Sequence, residues 1–269
     1  IVIDFANGSG YKCAPQILWE LGANVIPIGV EPNGYNINLN CGSTNTLMAS
    51  ELVKKYNADL AICLDGDADR VIILDELGNE IDGDQLIALI AKNLKSENKI
   101  KGNTIVSTVM SNLGLLRYLK DLELNLFRTP VGDRYVSEIM KEKGFNFGGE
   151  KSGHIIMTDY SSTGDGLLAA LYFLSILKDS GKTTSQLLNV FKPTPQKLLN
   201  LNFGSKNNPL DNSEFNKTIN ELRKKISDSG EILVRKSGTE PVIRIMIQHK
   251  DTKIFEEILE EINYIISKL

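Results

Sequence analysis

Asp65-Gly66-Asp67-Ala68-Asp69-Arg70 sets three carboxylates at alternate positions with an arginine directly behind them. Like charges this close repel unless something positive sits among them. An oxygen-only donor set suits a hard cation such as Mg2+, whose remaining ligands are usually water and substrate phosphate. Asp65, Asp67, Asp69 and Glu76 also match positions one, three, five and twelve of an EF-hand loop. That loop needs glycine at its sixth position, where Arg70 stands, and Val71-Ile72-Ile73-Leu74 turns apolar where the loop should continue, so the EF-hand reading fails. A solvated acidic turn is the plainer alternative. The apolar run before the motif and the arginine after it are poorly explained by such a turn.

Three further loops carry groups that could bind. Gly148-Gly149-Glu150-Lys151-Ser152-Gly153-His154 combines glycines, which let backbone approach a ligand, with Glu, Ser and His side chains suited to sugar hydroxyls. His154 beside Ile155-Ile156 could equally be a satisfied structural histidine. Arg235-Lys236-Ser237-Gly238-Thr239-Glu240-Pro241, with Arg244 beyond, offers the hydroxyls, backbone N–H groups and guanidinium forks that a phosphate requires; a plain hairpin with a basic edge is the competing reading. Thr129-Pro130-Val131-Gly132-Asp133-Arg134 ends a strand and opens a helix, where an anion or polar ligand, or only an ordinary cap, would sit. Gly8-Ser9-Gly10 lacks the third glycine of a dinucleotide loop, since Cys13 stands there, and reads as structural.

The elements that must position these loops alternate strand and helix. Ile1–Phe5, Asn24–Val30 and Leu60–Leu64 read as strands, with helices at Pro15–Leu21 and Leu47–Tyr56 between them. Val71–Leu74 and Glu80–Ile81 flank a Gly78-Asn79 turn, and Asp82 is placed to cap a helix through Leu94. A second series follows: strands at Thr104–Val109, Asn125–Phe127, Phe145–Phe147 and His154–Thr158, helices at Leu113–Lys120, Tyr135–Lys143 and Asp165–Leu177. Lys192-Pro193-Thr194-Pro195 breaks either regular structure. Beyond it, strands near Leu198–Phe203, Ile232–Arg235 and Val242–Gln248 with helices at Phe215–Ser227 and Thr252–Lys268 suggest an antiparallel α+β unit. The expected fold is α/β: two consecutive βα-type mixed-sheet domains, residues 1–82 and 83–195, then a smaller α+β C-terminal domain, residues 196–269.

Net charge −4 over 269 residues argues against a nucleic-acid partner bound through a broad basic face. The best apolar segment, Leu167 to Leu177, is too short to span a membrane, and no signal peptide is read. Cys13, Cys41 and Cys63 have no metal spacing and fit inert buried thiols of a reduced, cytoplasmic chain. The opening run Ile1-Val2-Ile3-Asp4-Phe5 begins inside an apparent strand, so an N-terminal part is expected to be missing.

Taken together, these loops resemble those of the α-D-phosphohexomutase family over essentially the whole chain. The matching segments are Asp65–Arg70, Gly149–His154 and Arg235–Pro241; Val131–Arg134, Val109–Gly114 and Cys41–Thr44 look like the amino-sugar members. The resemblance implies a metal-dependent phosphotransferase of the isomerase type, in which four domains surround a cleft. A phosphoserine passes its phosphoryl group to a hexose phosphate, and the bisphosphorylated sugar reorients and returns the other one. By position, Asp65, Asp67 and Asp69 would hold Mg2+, and Arg70 and His154 would be the catalytic candidates. Gly132, Asp133, Arg134, Glu150, Ser152, Gly153 and His154 would meet the sugar; Arg235, Ser237, Gly238, Thr239 and Arg244 would hold the non-reacting phosphate. Glucosamine 6- and 1-phosphate are the implied substrates, with glucosamine or glucose 1,6-bisphosphate as intermediate or activator, feeding UDP-N-acetylglucosamine and cell-wall synthesis. Mannose or glucose phosphates, or a non-catalytic sugar-phosphate binding protein, are the alternatives. The family's Thr-Ala-Ser-His-Asn-Pro type serine loop is not found, so the chain is expected to be inactive without an N-terminal domain as partner. Lys151 falls where members vary. A homodimer is compatible with the resemblance, and no membrane partner is implied.

Overall fold

The computed structural model describes residues 1–203, 208–226, 229–237 and 241–268. It divides into two compact units, residues 1–111 with 115–192, and residues 112–114 with 193–269.

The first unit contains two mixed sheets. Strands β1 (Val2–Asp4), β2 (Ile26–Ile28), β3 (Ala61–Leu64), β4 (Val71–Leu74) and β5 (Glu80–Ile81) form one in the order β2-β1-β3-β4-β5. β2, β1 and β3 run parallel through the helices α1 (Cys13–Glu20) and α2 (Leu47–Tyr56), whereas β4 and β5 return antiparallel. β3 and β4 are buried at every position, because the sheet is covered on both faces. α1 starts two residues before the expected Pro15; proline is tolerated there because the first-turn N–H groups have no intrahelical acceptor.

After α3 (Gly83–Ser96), the second sheet has the order β7-β6-β8-β9, from β6 (Thr104–Thr108), β7 (Asn125–Thr129), β8 (Phe147–Gly149) and β9 (Ile155–Met157). Helices α4 (Leu113–Asp121) and α5 (Asp133–Lys143) make the parallel crossovers, and β9 is antiparallel. β8 lies two residues beyond the expected Phe145–Phe147. The Phe145 N–H closes the end of α5 on Met140 O at 3.0 Å past a left-handed Gly144, so Phe145 belongs to the helix stop.

Asp82 caps α3 as expected, accepting from the Gln85 N–H. Gly83 through Ala91 are all buried, and such a helix lies inside a core rather than on it. α3, α6 (Gly166–Ser180, with Phe173) and the side chains of both sheets, from Ile3 and Ile62 to Ile105 and Phe147, share one apolar cluster. α7 (Thr184–Leu187) follows α6. Cys41 and Cys63 are buried, with burial pushing both thiols up, but Cys13 is exposed, contrary to the expectation for all three: it is the first residue of α1, whose buried positions are Ala14 and Leu18.

The second unit is a three-stranded antiparallel sheet, β10 (Gln196–Asn202), β12 (Val242–His249) and β11 (Gly230–Lys236), in that order. Helices α8 (Ser213–Ile226) and α9 (Thr252–Ser267) cover one face, packing Phe215, Leu222, Ile258 and Ile262 on Ile243, Ile245 and Ile247. No helix among the described residues is long and apolar enough to cross a membrane.

Candidate active site

β3 delivers its chain to the end of a buried sheet, where open α/β sheets place their ligands, and the aspartate loop begins one residue later. The loop turns tightly: Ala68 N–H donates to Asp65 O at 3.1 Å, and Ala68 has a left-handed φ of 62°, a conformation that costs a non-glycine residue about 1 kcal/mol. As a result one oxygen from each of Asp65, Asp67 and Asp69 lies within 4.8 Å of the others. Arg70 reaches back over them, its Nε 3.8 Å from both Asp65 Oδ2 and Asp69 Oδ1, while its N–H donates to Asp65 Oδ1 at 3.1 Å.

Burial, followed by the pairing of the protonated Asp65 carboxyl with the Asp69 carboxylate and by the charges of Asp69 and Asp67, pushes the Asp65 carboxyl up to about 6, against the pull of the Arg70 N–H. Asp69 Oδ1 is buried with no hydrogen-bond partner. Three carboxylates crowded together, with Asp69 Oδ1 left without a hydrogen-bond partner, fit a hard cation. Asp65, Asp67 and Asp69 are the residues that could hold Mg2+.

The loop Gly149–His154 is joined to this one by backbone. Arg70 and His154 form an antiparallel bridge, Val71 N–H donates to Gly153 O at 3.1 Å, and Glu150 N–H donates to His154 O at 2.9 Å. His154 is 2% exposed, and its Nδ1 lies 3.0 Å from Asp69 Oδ2, so its ring lies against the aspartate loop. Gly164 packs against the far edge of that ring; a Cβ there would overlap Cε1 and Nε2. Gly164→Ala is therefore expected to displace the ring and loosen Asp69, weakening Mn2+ binding by about ten-fold in an EPR titration. An unchanged affinity would show that His154 does not support the aspartate.

Glu150 is buried, and its Oε1 accepts from Gly132 N–H at 3.2 Å, tying the Thr129–Arg134 turn to the same loop. Gly132 has φ 135° and precedes α5, whose first residue is Asp133. Lys151 pairs with Asp82 at 3.3 Å, and Gly153 takes a left-handed φ of 89°. Ser152 is exposed on this loop. Arg134 is not brought in by any described bond: it is exposed and pairs along its own helix with Glu138 at 2.7 Å.

In the second unit Arg235 and Arg244 face each other across the β11–β12 ladder, on the sheet face away from the helices. Two guanidinium groups directly opposite repel, and an anion between them would be stabilised. Ser237 is buried, with its N–H donating to Val242 O at 2.8 Å. Gly238 and Thr239 lie outside the described residues.

Sequence reasoning set aside the residues that pack behind the aspartate loop. Ser9 N–H donates to Gly66 O at 2.8 Å, and Gly8 lies so close to Gly66 that no side chain fits between them. Ile37 and Asn38 close on Gly66 from another side. The paired glycines at 8 and 10 and the asparagines at 36, 38 and 40 are the signals that could have marked them.

This arrangement has known counterparts. The phosphoglucomutase/phosphomannomutase models match the chain consecutively: alpha/beta/alpha domain II at residues 1–78, alpha/beta/alpha domain III at 82–194 and the C-terminal domain at 198–264. The chain belongs to the phosphoglucomutase/phosphomannomutase family. Within it, the chain is 52% identical over 262 residues to the phosphoglucosamine mutase of Cereibacter sphaeroides, covering 97% of this chain and 59% of that one. It is also 52% identical over 269 residues to that of Phenylobacterium zucineum, covering 100% and 60%. The chain thus spans about three fifths of the curated relatives it matches. Its fold matches a phosphoglucomutase/phosphomannomutase family protein from Burkholderia thailandensis, with TM-score 0.80 at 22% identity over 98% of this chain and 59% of that one. It also matches the Aspergillus fumigatus N-acetylphosphoglucosamine mutase solved with GlcNAc-6P and magnesium, with TM-score 0.75 at 19% identity over 97% and 64%.

Proposed function

We propose that the chain forms the metal-, sugar- and phosphate-binding part of a phosphoglucosamine mutase, which interconverts glucosamine 6-phosphate and glucosamine 1-phosphate through a bisphosphorylated sugar. The observation that carries this reading is the 52% identity to phosphoglucosamine mutases along the whole chain. The segments 1–82, 83–195 and 196–269 serve as its successive domains, each contributing one loop. The serine that carries the phosphoryl group is supplied from outside these residues, in keeping with relatives that are longer than the match.

Mg2+, when bound by Asp65, Asp67 and Asp69, neutralises charge that builds on the phosphoryl group during transfer. Arg70, half exposed above the aspartates, orients the reacting oxygens, and buried His154 holds Asp69 in place for the cation. Glu150, Ser152 and Gly153, with Gly132, Asp133 and Arg134 beside them, take the sugar. Arg235, Ser237 and Arg244, with Gly238 and Thr239, hold the phosphate that does not react, which supplies binding energy remote from the chemistry.

Phosphorus NMR on glucosamine 6-phosphate, with Mg2+ and a catalytic amount of the 1,6-bisphosphate, tests this. The chain alone is expected to be silent, and a fusion carrying the serine-bearing segment of a relative is expected to turn over. Turnover by the chain alone would overturn the assignment of the phosphoryl carrier. A fusion that prefers glucose or mannose phosphate would move the substrate to the neutral hexoses.

A further inference from the structure

Asp4 is fully buried on β1, in register with Ile28 of β2 and Cys63 of β3. Both of its carboxylate oxygens are used: Oδ1 accepts from the Ala6 N–H at 2.8 Å, and Oδ2 accepts from the Gly42 N–H at 2.7 Å. Each bond anchors a loop in a left-handed conformation, with φ 53° at Ala6, 49° at Asn7 and 76° at Gly42. At Ala6, which carries a Cβ, such a conformation persists only when its surroundings over-determine it. Both loops end on the same residue. From the first, Gly8 and the Ser9 N–H press on Gly66; from the second, Ile37 and Asn38 do so, with Asn38 N–H also donating to Ala6 O at 2.8 Å. Gly42 itself packs on Leu64 O, at the start of the aspartate loop. Gly66 is the residue between Asp65 and Asp67.

We propose that Asp4 is a positioning residue for the cation-binding aspartates: its two oxygens clamp the Ala6–Gly10 and Asn36–Gly42 loops, which together fix Gly66 and so the spacing of Asp65 and Asp67. The inference rests on the reading of that loop as the metal site. An asparagine at this position can accept only one of the two N–H groups, and its own NH2 would face the other donor. Asn7 adds a second tie between the same loops, its Nδ2 donating to Asn36 O at 3.4 Å and to Cys41 Sγ at 3.7 Å, but Asp4 is the one that reaches them from the strand β1.

The test compares the 269-residue chain with its Asp4→Asn variant and with Val53→Ala, a core substitution in α2 over the same sheet that serves as a control for lost stability. Two readouts are taken: amide hydrogen exchange of residues 64–71, and Mn2+ affinity by EPR. Asp4→Asn is expected to speed exchange across 64–71 and to weaken Mn2+ by about ten-fold, the usual size of a supporting-residue effect, while Val53→Ala changes neither. Unchanged exchange at 64–71, or equal changes in the control, overturns the proposal. Failure of the unsubstituted chain to bind Mn2+ would count against the metal site, and the exchange comparison would still decide the role of Asp4. If Asp4→Asn does not fold, Asp4→Ser, smaller and with one acceptor, carries the same two readouts.

Discussion

Substituting Asp69 by alanine is expected to weaken divalent-cation binding by at least about 100-fold, more than any supporting residue would. Asp69 does two things at once. Its Oδ1 is the buried oxygen that lacks a hydrogen-bond partner, and its Oδ2 lies against the His154 ring. Removal therefore takes away one of three oxygens and leaves His154 buried beside an apolar stub. A Mn2+ titration followed by EPR measures the loss directly. In a fusion that turns over glucosamine 6-phosphate, the same change should lower kcat while leaving the phosphate loop in the second unit intact. A variant that binds Mn2+ as tightly as the parent would remove Asp69 from the ligand set.

Asp65→Asn should also weaken cation binding, and without metal it should stabilise the fold. The Asp65 carboxyl is pushed from 3.8 to about 6, first by burial and then by its acidic neighbours. A folded-state value above the unfolded one means the folded chain holds that proton longer as pH rises. The Asp65 contribution is nil below about 3.8, becomes unfavourable between there and 6, and is fully destabilising above 6. Allowing for partial solvent screening, the shift corresponds to on the order of 2 kcal/mol at neutral pH. Asparagine keeps an acceptor for the Arg70 N–H and drops the charge. The metal-free variant should therefore melt roughly 5–10 °C higher than the parent at about pH 7.5. The difference should shrink toward zero as the pH is lowered to about 4. Added Mg2+ should raise the melting temperature of the parent and not that of the variant. Equal melting temperatures without metal at neutral pH would mean that burial and the acidic neighbours do not hold the Asp65 carboxyl above its unfolded value.

Much of this architecture could be read from residue order. Helix α2 runs from Leu47 to Tyr56 as expected, and the Gly78-Asn79 turn joins β4 to β5 as its dipeptide suggested. Those features are local, set by periodicity, turn chemistry and caps. What sequence could not supply was the non-local packing. Nothing in Asp4 reveals that its two oxygens meet N–H groups from Ala6 and from Gly42, the latter 38 residues away. Gly8-Ser9-Gly10 read as structural because its spacing fits no phosphate loop; its role against Gly66 depends on a parallel register between β1 and β3 that no local pattern encodes. His154 shows the same limit. Sequence allowed a catalyst or a structural histidine, and its depth and its distance of 3.0 Å from Asp69 Oδ2 could not be read from either possibility.

The buried helix α3 makes residues 82 and 193 unequal places to recombine this protein with a relative. α3 carries side chains into a core shared by both sheets of the first unit, so a crossover at 82 would pair one parent's helix with the other parent's sheet. Every mismatch of volume would then fall inside a close-packed interior, where a single misplaced methylene is felt. A crossover at 193 leaves that cluster with one parent and the cluster around Phe215 and Ile245 with the other. Gene shuffling within this family should therefore preserve the first two α/β domains as a single heritable block, and a crossover near 193 should keep residues 112–114, which belong to the second unit, matched to it.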